Sequence, residues 1–331
     1  MMFYSIINLM NNKLFNEKRE RYYHRQVIKA IGLENTPIAF GAEKTCHIFN
    51  NFVVFKEQID FNDADLFHNS TVLKLIKFQN LQYLANAGIN TPRIVDIEYR
   101  DNCIFEIQER APGQVLSYTN ESNILHSFGG KDNVYLSIKD MSDALRSQFC
   151  KQVLDYNFNM QKKLKSAPIS HFVKFLSDFK DIQEYGLDLD IHGENFLYDT
   201  SKGFYFVDLP ILQSTQKKKF NSDNIDNVNL LFNNKKIKSI DRYRELSDYE
   251  ILRQVCNLFV DFLKYSSFVF DLDLVKQMKK NNASIIENKI FPAAKKLGFH
   301  MTDDEWDRLL KHIDKFTQKK RTTTISQDLS L

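Results

Sequence analysis

Between residues 190 and 210 the sequence breaks a series of helical stretches with one β-rich island, DIHGENFLYDTSKGFYFVDLP. Its apolar segments NFLY and FYFVD flank Asp199-Thr200-Ser201-Lys202-Gly203, a run of turn-forming residues, so the chain is expected to double back there as a hairpin. Helical stretches surround it over 141–166, 169–185, 248–265, 272–279 and 303–316. The last opens with Thr302 as cap and Asp303 and Asp304 in its first turn. Any fold for this chain must therefore seat a single hairpin inside a helical body.

The first third of the chain reads differently. Residues 13–31 form an expected N-terminal helix, with apolar positions at three- and four-residue spacing and Gly32 as its stop. PIAFGAEK, TCHIF and NFVVFKEQI then read as a β-meander, with Gly41 and Asn50-Asn51 at the turns. A helix capped by Asn69 or Ser70 follows, its Leu73, Ile76, Leu81 and Leu84 on one face, and Gly88 closes it. RIVDIEYR and NCIFEIQER form two further strands about Asp101-Asn102. The fold class is therefore α+β, with two lobes: a small antiparallel β N-lobe and a larger helical C-lobe. Expected boundaries are an N-terminal helical extension over 1–33, the N-lobe over 34–111, the C-lobe over 112–316, and a polar, disordered tail over 317–331.

Composition removes several function classes. The 331 residues carry 45 Lys+Arg against 42 Asp+Glu, a net charge of +3, so no global field favours nucleic acid or an anionic membrane. Cys46, Cys103, Cys150 and Cys256 stand dozens of residues apart, which excludes a CxxC site and reads as reduced thiols. No stretch approaches the roughly 18 consecutive apolar residues of a membrane span, and the apolar start lacks a basic region ahead of it, so a soluble, cytoplasmic protein is expected. Ten glycines are few for a chain of this length.

The hairpin island carries the chemistry. Phosphoryl transfer passes through a loose transition state and needs positioning and charge stabilisation more than covalent participation. It requires a carboxylate to orient the attacking hydroxyl, and an amide oxygen with a second carboxylate to hold a divalent cation. Asp190, Asn195 and Asp208 offer that set: Asn195 follows Asp190 by five residues, and Asp208 follows after the length of one hairpin. The two strands would return Asn195 and Asp208 to one end.

The stretch Asp190-Ile191-His192-Gly193-Glu194-Asn195-Phe196-Leu197, followed by Phe206-Val207-Asp208-Leu209, resembles a known pattern. It is similar to the D-x-H-x-x-N catalytic loop and metal-binding Asp of the aminoglycoside phosphotransferase and choline kinase branch of the protein-kinase-like superfamily, and to motifs of bacterial lipopolysaccharide core sugar kinases. LQYLANAGINTPRIVDI and FEIQERAPGQVL resemble further segments of that branch. The resemblance implies a protein-kinase-like fold that binds ATP and Mg²⁺ between its lobes, with Asp190 as catalytic base and Asn195 and Asp208 as metal ligands. It implies that Lys56, on the third strand, meets the α- and β-phosphates. Gly41 would mark the phosphate-covering turn, and Glu109, Arg110 and Ala111 the hinge that holds the adenine edge. His192 would support the loop. The chain departs from the pattern in Asp188-Leu189 before the base, in Leu209-Pro210 after the metal-binding Asp, and in having no Asp or Glu between Leu66 and Val95 to pair with Lys56.

The absence of an A-P-E-like segment after Asp208 favours a small-molecule acceptor: a sugar, amino-alcohol or antibiotic hydroxyl. Two alternatives stand beside it. One is a protein-directed or secreted effector kinase, suggested by the Thr/Ser-rich end Thr322–Ser330. The other is a pseudokinase-like binding module that uses the cleft to dock a partner.

Overall fold

The computed structural model describes residues 39–40, 44–49, 51–58, 81, 83–100, 103–118, 141–185, 189–207 and 246–317. The expected N-terminal helix and the tail beyond Thr317 lie outside the described residues, as do Gly41 and Asp208. An antiparallel five-stranded sheet forms first, from β1 (Ala39–Phe40), β2 (Lys44–Phe49), β3 (Phe52–Gln58), β4 (Ile94–Arg100) and β5 (Cys103–Glu109), in the order β1-β2-β3-β5-β4. The alternation of FVVFKEQ decides its faces. Val54 and Lys56 share one face with their partners Ile107 and Phe105. There Val54, Cys103, Phe105 and Ile107 bury one another, with Phe52 against them. Ile94 and Ile97 of β4 instead join the main core of the larger lobe. Of the helix expected from Asn69 onward, only its end is described, with Leu81 and Leu84 buried and Gly88 at φ +82° beyond it.

Chain segments stitch the sheet to the helical part. Phe206 N–H donates to the Asn90 carbonyl at 2.9 Å, and Asn90 Nδ2 donates to Phe204 O at 3.0 Å. Lys174 Nζ bridges Gly88 O at 2.8 Å and the buried carboxylate of Asp178. The chain then leaves β5 and passes Gly113, whose φ of +101° and 2.6 Å approach of a would-be Cβ to Tyr198 O admit no side chain. It forms β6 (Gln114–Val115) against β7 (Phe196–Asp199), which pairs with β8 (Gly203–Phe206). The expected hairpin is thus part of a three-stranded sheet, its third strand a two-residue piece too short to show period-two patterning.

The helices are α1 (Asp143–Ser166), α2 (Ile169–Tyr185), α3 (Asp248–Val260), α4 (Leu272–Ile285), α5 (Phe291–Lys296) and α6 (Asp303–Thr317). Ser247 and Glu250 make a reciprocal capping box on α3, and Thr302 with Glu305 makes the same exchange at α6. After Val260 the expected helix tightens into short 3-10 turns. The stretch expected to stop at Lys279 instead runs on through Asn281 and Asn282. Their poor helix propensity is overridden by amide pairing: Gln161 Nε2 donates to Asn282 Oδ1 at 2.5 Å, and Lys165 Nζ to Asn281 Oδ1 at 3.0 Å. A π turn over Ile286–Ile290 joins α4 to α5, just ahead of Pro292, which has no N–H to continue the ladder. Among the described residues no helix is long and apolar enough to cross a membrane.

The main core closes under β7 and β8. Phe172, Phe175 and Phe179 recur at helical spacing on α2 and meet Phe196, Phe204 and Phe206. The Phe175 ring stacks at 4.4 Å from Phe204 and 5.5 Å from Phe206, and stands edge-on to Phe196 at 5.7 Å. Phe175→Ala is expected to cost about 3–5 kcal/mol of stability, read as a lower denaturant midpoint at unchanged slope. Phe175→Leu should recover more than half of that loss; equal losses for the two variants would mean that the ring contacts carry no special weight.

Candidate active site

The loop that enters β7 is built on a single 3-10 turn, Gly193–Asn195. Three residues per turn place His192 and Asn195 on one edge, and the turn is closed by Asn195 N–H donating to His192 O at 3.0 Å. Asn195 is buried, and its Nδ2 donates to the main-chain carbonyl of Asp190 at 2.9 Å while lying 2.9 Å from His192 Nε2. His192 Nε2 is in turn 3.1 Å from Asp190 Oδ2, and the Asp190 side chain is 74% exposed. The D-x-H-x-x-N spacing is therefore the spacing of one closed loop.

Two crossing points hold that loop. Leu116 N–H donates to Phe196 O at 2.8 Å and Ser117 N–H to Gly193 O at 3.4 Å. The strand past Ser117 is fixed on the other side by Tyr156 Oη, which donates to Val115 O at 2.6 Å, and by Asn157, which accepts from Tyr118 N–H at 3.2 Å and donates to Phe262 O at 3.1 Å. Burial pushes the Tyr156 phenol up, with Tyr118 adding to it, so it stays a protonated donor. Gly193 touches Ser117 so closely that a Cβ would lie 1.8 Å from Ser117 Oγ and 2.8 Å from its carbonyl oxygen.

Of the other expected site residues, Lys56 lies mid-strand on β3, with Nζ 5.9 Å from the centroid of the Phe105 ring. The register sets Thr45, Lys56, Phe105 and Glu98 in one cross-strand row on one face. Glu98 stands in that row two strands away from Lys56, with Phe105 between them. At the hinge, Glu109 N–H donates to Arg93 O at 2.9 Å and Arg110 N–H to Asn51 O at 2.7 Å, and the Glu109 carboxylate pairs with the Arg93 guanidinium. Among the described residues no acceptor meets the Ala111 N–H. Asp208 lies outside the described residues; its neighbour Val207 donates its N–H to Asn195 O at 3.0 Å.

A divalent cation suits the chemistry of this loop. The Asn195 amide spends its NH₂ inward, and among the described residues no donor reaches Oδ1, which leaves a hard oxygen ligand of the kind Mg²⁺ prefers. Among the described residues no group of three His, Cys, Asp or Glu side chains could hold a metal by itself.

The chain matches no protein-family profile and no curated protein sequence. Among solved structures it is similar to the aminoglycoside phosphotransferase APH(3'')-Id from Streptomyces rimosus, at 10% identity over 90% of this chain and 98% of that one, with a TM-score of 0.36. The complex of that enzyme with ADP and streptomycin aligns at 12% identity over 86% and 92% of the two chains, with a TM-score of 0.33. The choline kinase LicA from Streptococcus pneumoniae aligns at 10% identity over 91% and 99%, with a TM-score of 0.24.

Asp261, on the 3-10 turn after α3, was not marked out by any sequence pattern. Burial raises its carboxyl above the usual carboxylate range; Lys264 and His192 act against that and Glu194 with it, which places Asp261 beside the loop. The folded state thus holds this proton to higher pH than the unfolded chain does. Stability falls as pH rises from the unfolded carboxylate pKa through the raised folded value, and the penalty is complete above it. Asp261→Asn should therefore be more stable than the parent at about pH 8, with the difference fading towards about pH 4. Parallel melting curves across that range check it; a variant less stable at the alkaline end overturns the assignment.

Gly193→Ala should cost about 1–3 kcal/mol of stability by overpacking against Ser117, read as a lower denaturant midpoint. Ser117→Ala alone should be tolerated, since among the described residues no hydrogen-bond partner meets the buried Ser117 Oγ. It should not rescue Gly193→Ala, because the clash with the Ser117 carbonyl remains. Full rescue in the double variant would show that only the hydroxyl matters.

Proposed function

We propose that the protein is an ATP- and Mg²⁺-dependent phosphotransferase that moves the γ-phosphate to a hydroxyl of a small molecule. The observation that carries this reading is the closed Asp190–His192–Asn195 loop, in which one carboxylate is exposed and one amide oxygen is turned outward at the end of a strand pair leading to Asp208. Asp190 orients the acceptor hydroxyl and takes its proton during in-line attack. Asn195 Oδ1 and the Asp208 carboxylate hold the cation, which when bound neutralises charge on the β- and γ-phosphate oxygens. Lys56, on the face walled by Val54 and Phe105, anchors the α- and β-phosphates. Ala111 N–H meets the adenine edge, since the Glu109 and Arg110 N–H groups already have backbone acceptors. The sequence pattern assigns Gly41 to the phosphate-covering turn.

Sugars, amino-alcohols and aminoglycosides are the acceptors to test, by ADP release and by mass spectrometry of the product. Asp190→Asn should lower kcat by about 10²–10⁴-fold, the range of general-base removal, while Mg·ADP binding by calorimetry stays within twofold. Asp208→Ala should lose metal-dependent nucleotide binding. Full turnover by Asp190→Asn would remove it as the base. No nucleotide binding by the parent protein in the presence or absence of Mg²⁺ would overturn the reading as a whole.

A further inference from the structure

Asn90 meets the outer edge of β8 as a neighbouring strand would. β8 is the last strand of the three-stranded sheet, and among the described residues no further strand pairs with it. Residues two apart along a strand direct their backbone groups to the same edge. On that edge Asn90 O accepts from Phe206 N–H at 2.9 Å, while Asn90 Nδ2 donates to Phe204 O at 3.0 Å and to Lys202 O at 3.4 Å. A single amide residue thus serves positions 202, 204 and 206. Both oxygens before Nδ2 are main-chain carbonyls, which only accept, so the NH₂ end of the amide must face them. Asn90 is itself held from α2. Its N–H faces the Asp178 carboxylate, on a side chain only 6% exposed. Lys174 Nζ spends its three protons there, on Gly88 O at 2.8 Å and on both Asp178 oxygens at 2.9 Å. Ile89 and Ile94, on either side of Asn90, sit in the main core.

We propose that Asn90 is a positioning residue: it takes the place of a fourth strand on β8 and, held by Asp178, fixes the strand whose next residue, Val207, donates to Asn195 O. The same strand leads on to Asp208. A short edge strand has little hold of its own, so the partner on its open side decides how firmly it is placed. Asp178 acts one step further back, by fixing Asn90 to the helix that also packs beneath the hairpin. The clasp on β8 stands on the hydrogen-bond geometry alone; its consequence for the metal rests on the phosphotransferase reading.

The test is in two parts. Amide hydrogen exchange, followed residue by residue in the full-length protein, compares the parent with Asn90→Ala and Asn90→Asp, and the buried amides of α3 report global stability. Asn90→Ala keeps the main-chain acceptor and loses the side-chain donor. It should speed exchange at Phe206 and Val207 about 2- to 10-fold relative to α3, the change that one net hydrogen bond carries. Asn90→Asp has the same shape but sets an oxygen against Phe204 O, and should speed it further. Parent-like protection in Asn90→Asp, or a loss at α3 in step with Val207, overturns the proposal. Asp178→Ala should reproduce the local change, and adding Asn90→Ala to it should cost less than Asn90→Ala does alone, because both act through one contact. Full additivity removes Asp178 from the clasp. Mg²⁺ is then titrated against ADP-bound protein by calorimetry. Asn90→Ala should weaken Mg²⁺ binding by a similar factor with metal-free ADP binding unchanged; an equal loss in both overturns the positioning role. If the parent protein binds neither ADP nor Mg²⁺, the phosphotransferase reading fails and the metal consequence with it, while the exchange comparison decides the clasp by itself.

Discussion

A four-residue strand pair cannot hold its shape in water, so the position of Asn195 is inherited from the aromatic rings packed beneath β7 and β8. Phe175 meets Phe196, Phe204 and Phe206 at once, and each of those is buried. Phe196 directly follows Asn195, and Phe206 directly precedes the residue that bonds back to Asn195 O. Any shift of α2 against the hairpin would therefore pass straight to the loop. This gives the hydrophobic core a functional tolerance much tighter than stability alone requires.

The same loop is where the two parts of the chain meet. Asn90 reaches β8 through its carbonyl and its side chain, so the approach to β4 acts as a further partner for the hairpin. On the other side the segment 115–118 lies between the loop and α1, bonded to Gly193 and Phe196 in one direction and to Tyr156 and Asn157 in the other. Sheet and helices are thus tied to each other within a few residues of Asp190 and Asn195.

Much of this was legible in the sequence because its signals are local. Period-two patterning and turn residues mark the strands from 44 to 109; Thr302 with Asp303 and Asp304 marks a helix start; and the apolar hairpin stands out against its helical surroundings. What stayed hidden depends on partners far away in the chain. Asn281 and Asn282 look like a helix end until Gln161 and Lys165 are placed against them. The three hinge residues look equivalent until Arg93 and Asn51 are seen to take two of the N–H groups. Asp261 belongs to no pattern and acquires its raised pKa only from burial beside the loop. Gly41 and Asp208, two residues on which the sequence reading leans, lie outside the described residues.

The spacing of the motif has a physical content beyond its resemblance. In a 3-10 turn side chains three apart are eclipsed, so a residue two after the Asp and a residue five after it stand over one another with the Asp carbonyl within reach of both. An amide is the side chain that such a place requires. Its NH₂ is turned inward to the Asp190 carbonyl, with His192 Nε2 at 2.9 Å, while its oxygen faces away from that carbonyl. A carboxylate at 195 would set oxygen against the carbonyl, and a hydroxyl would be too short to span both contacts. The recognition pattern is, in this sense, a statement about which atoms are donors.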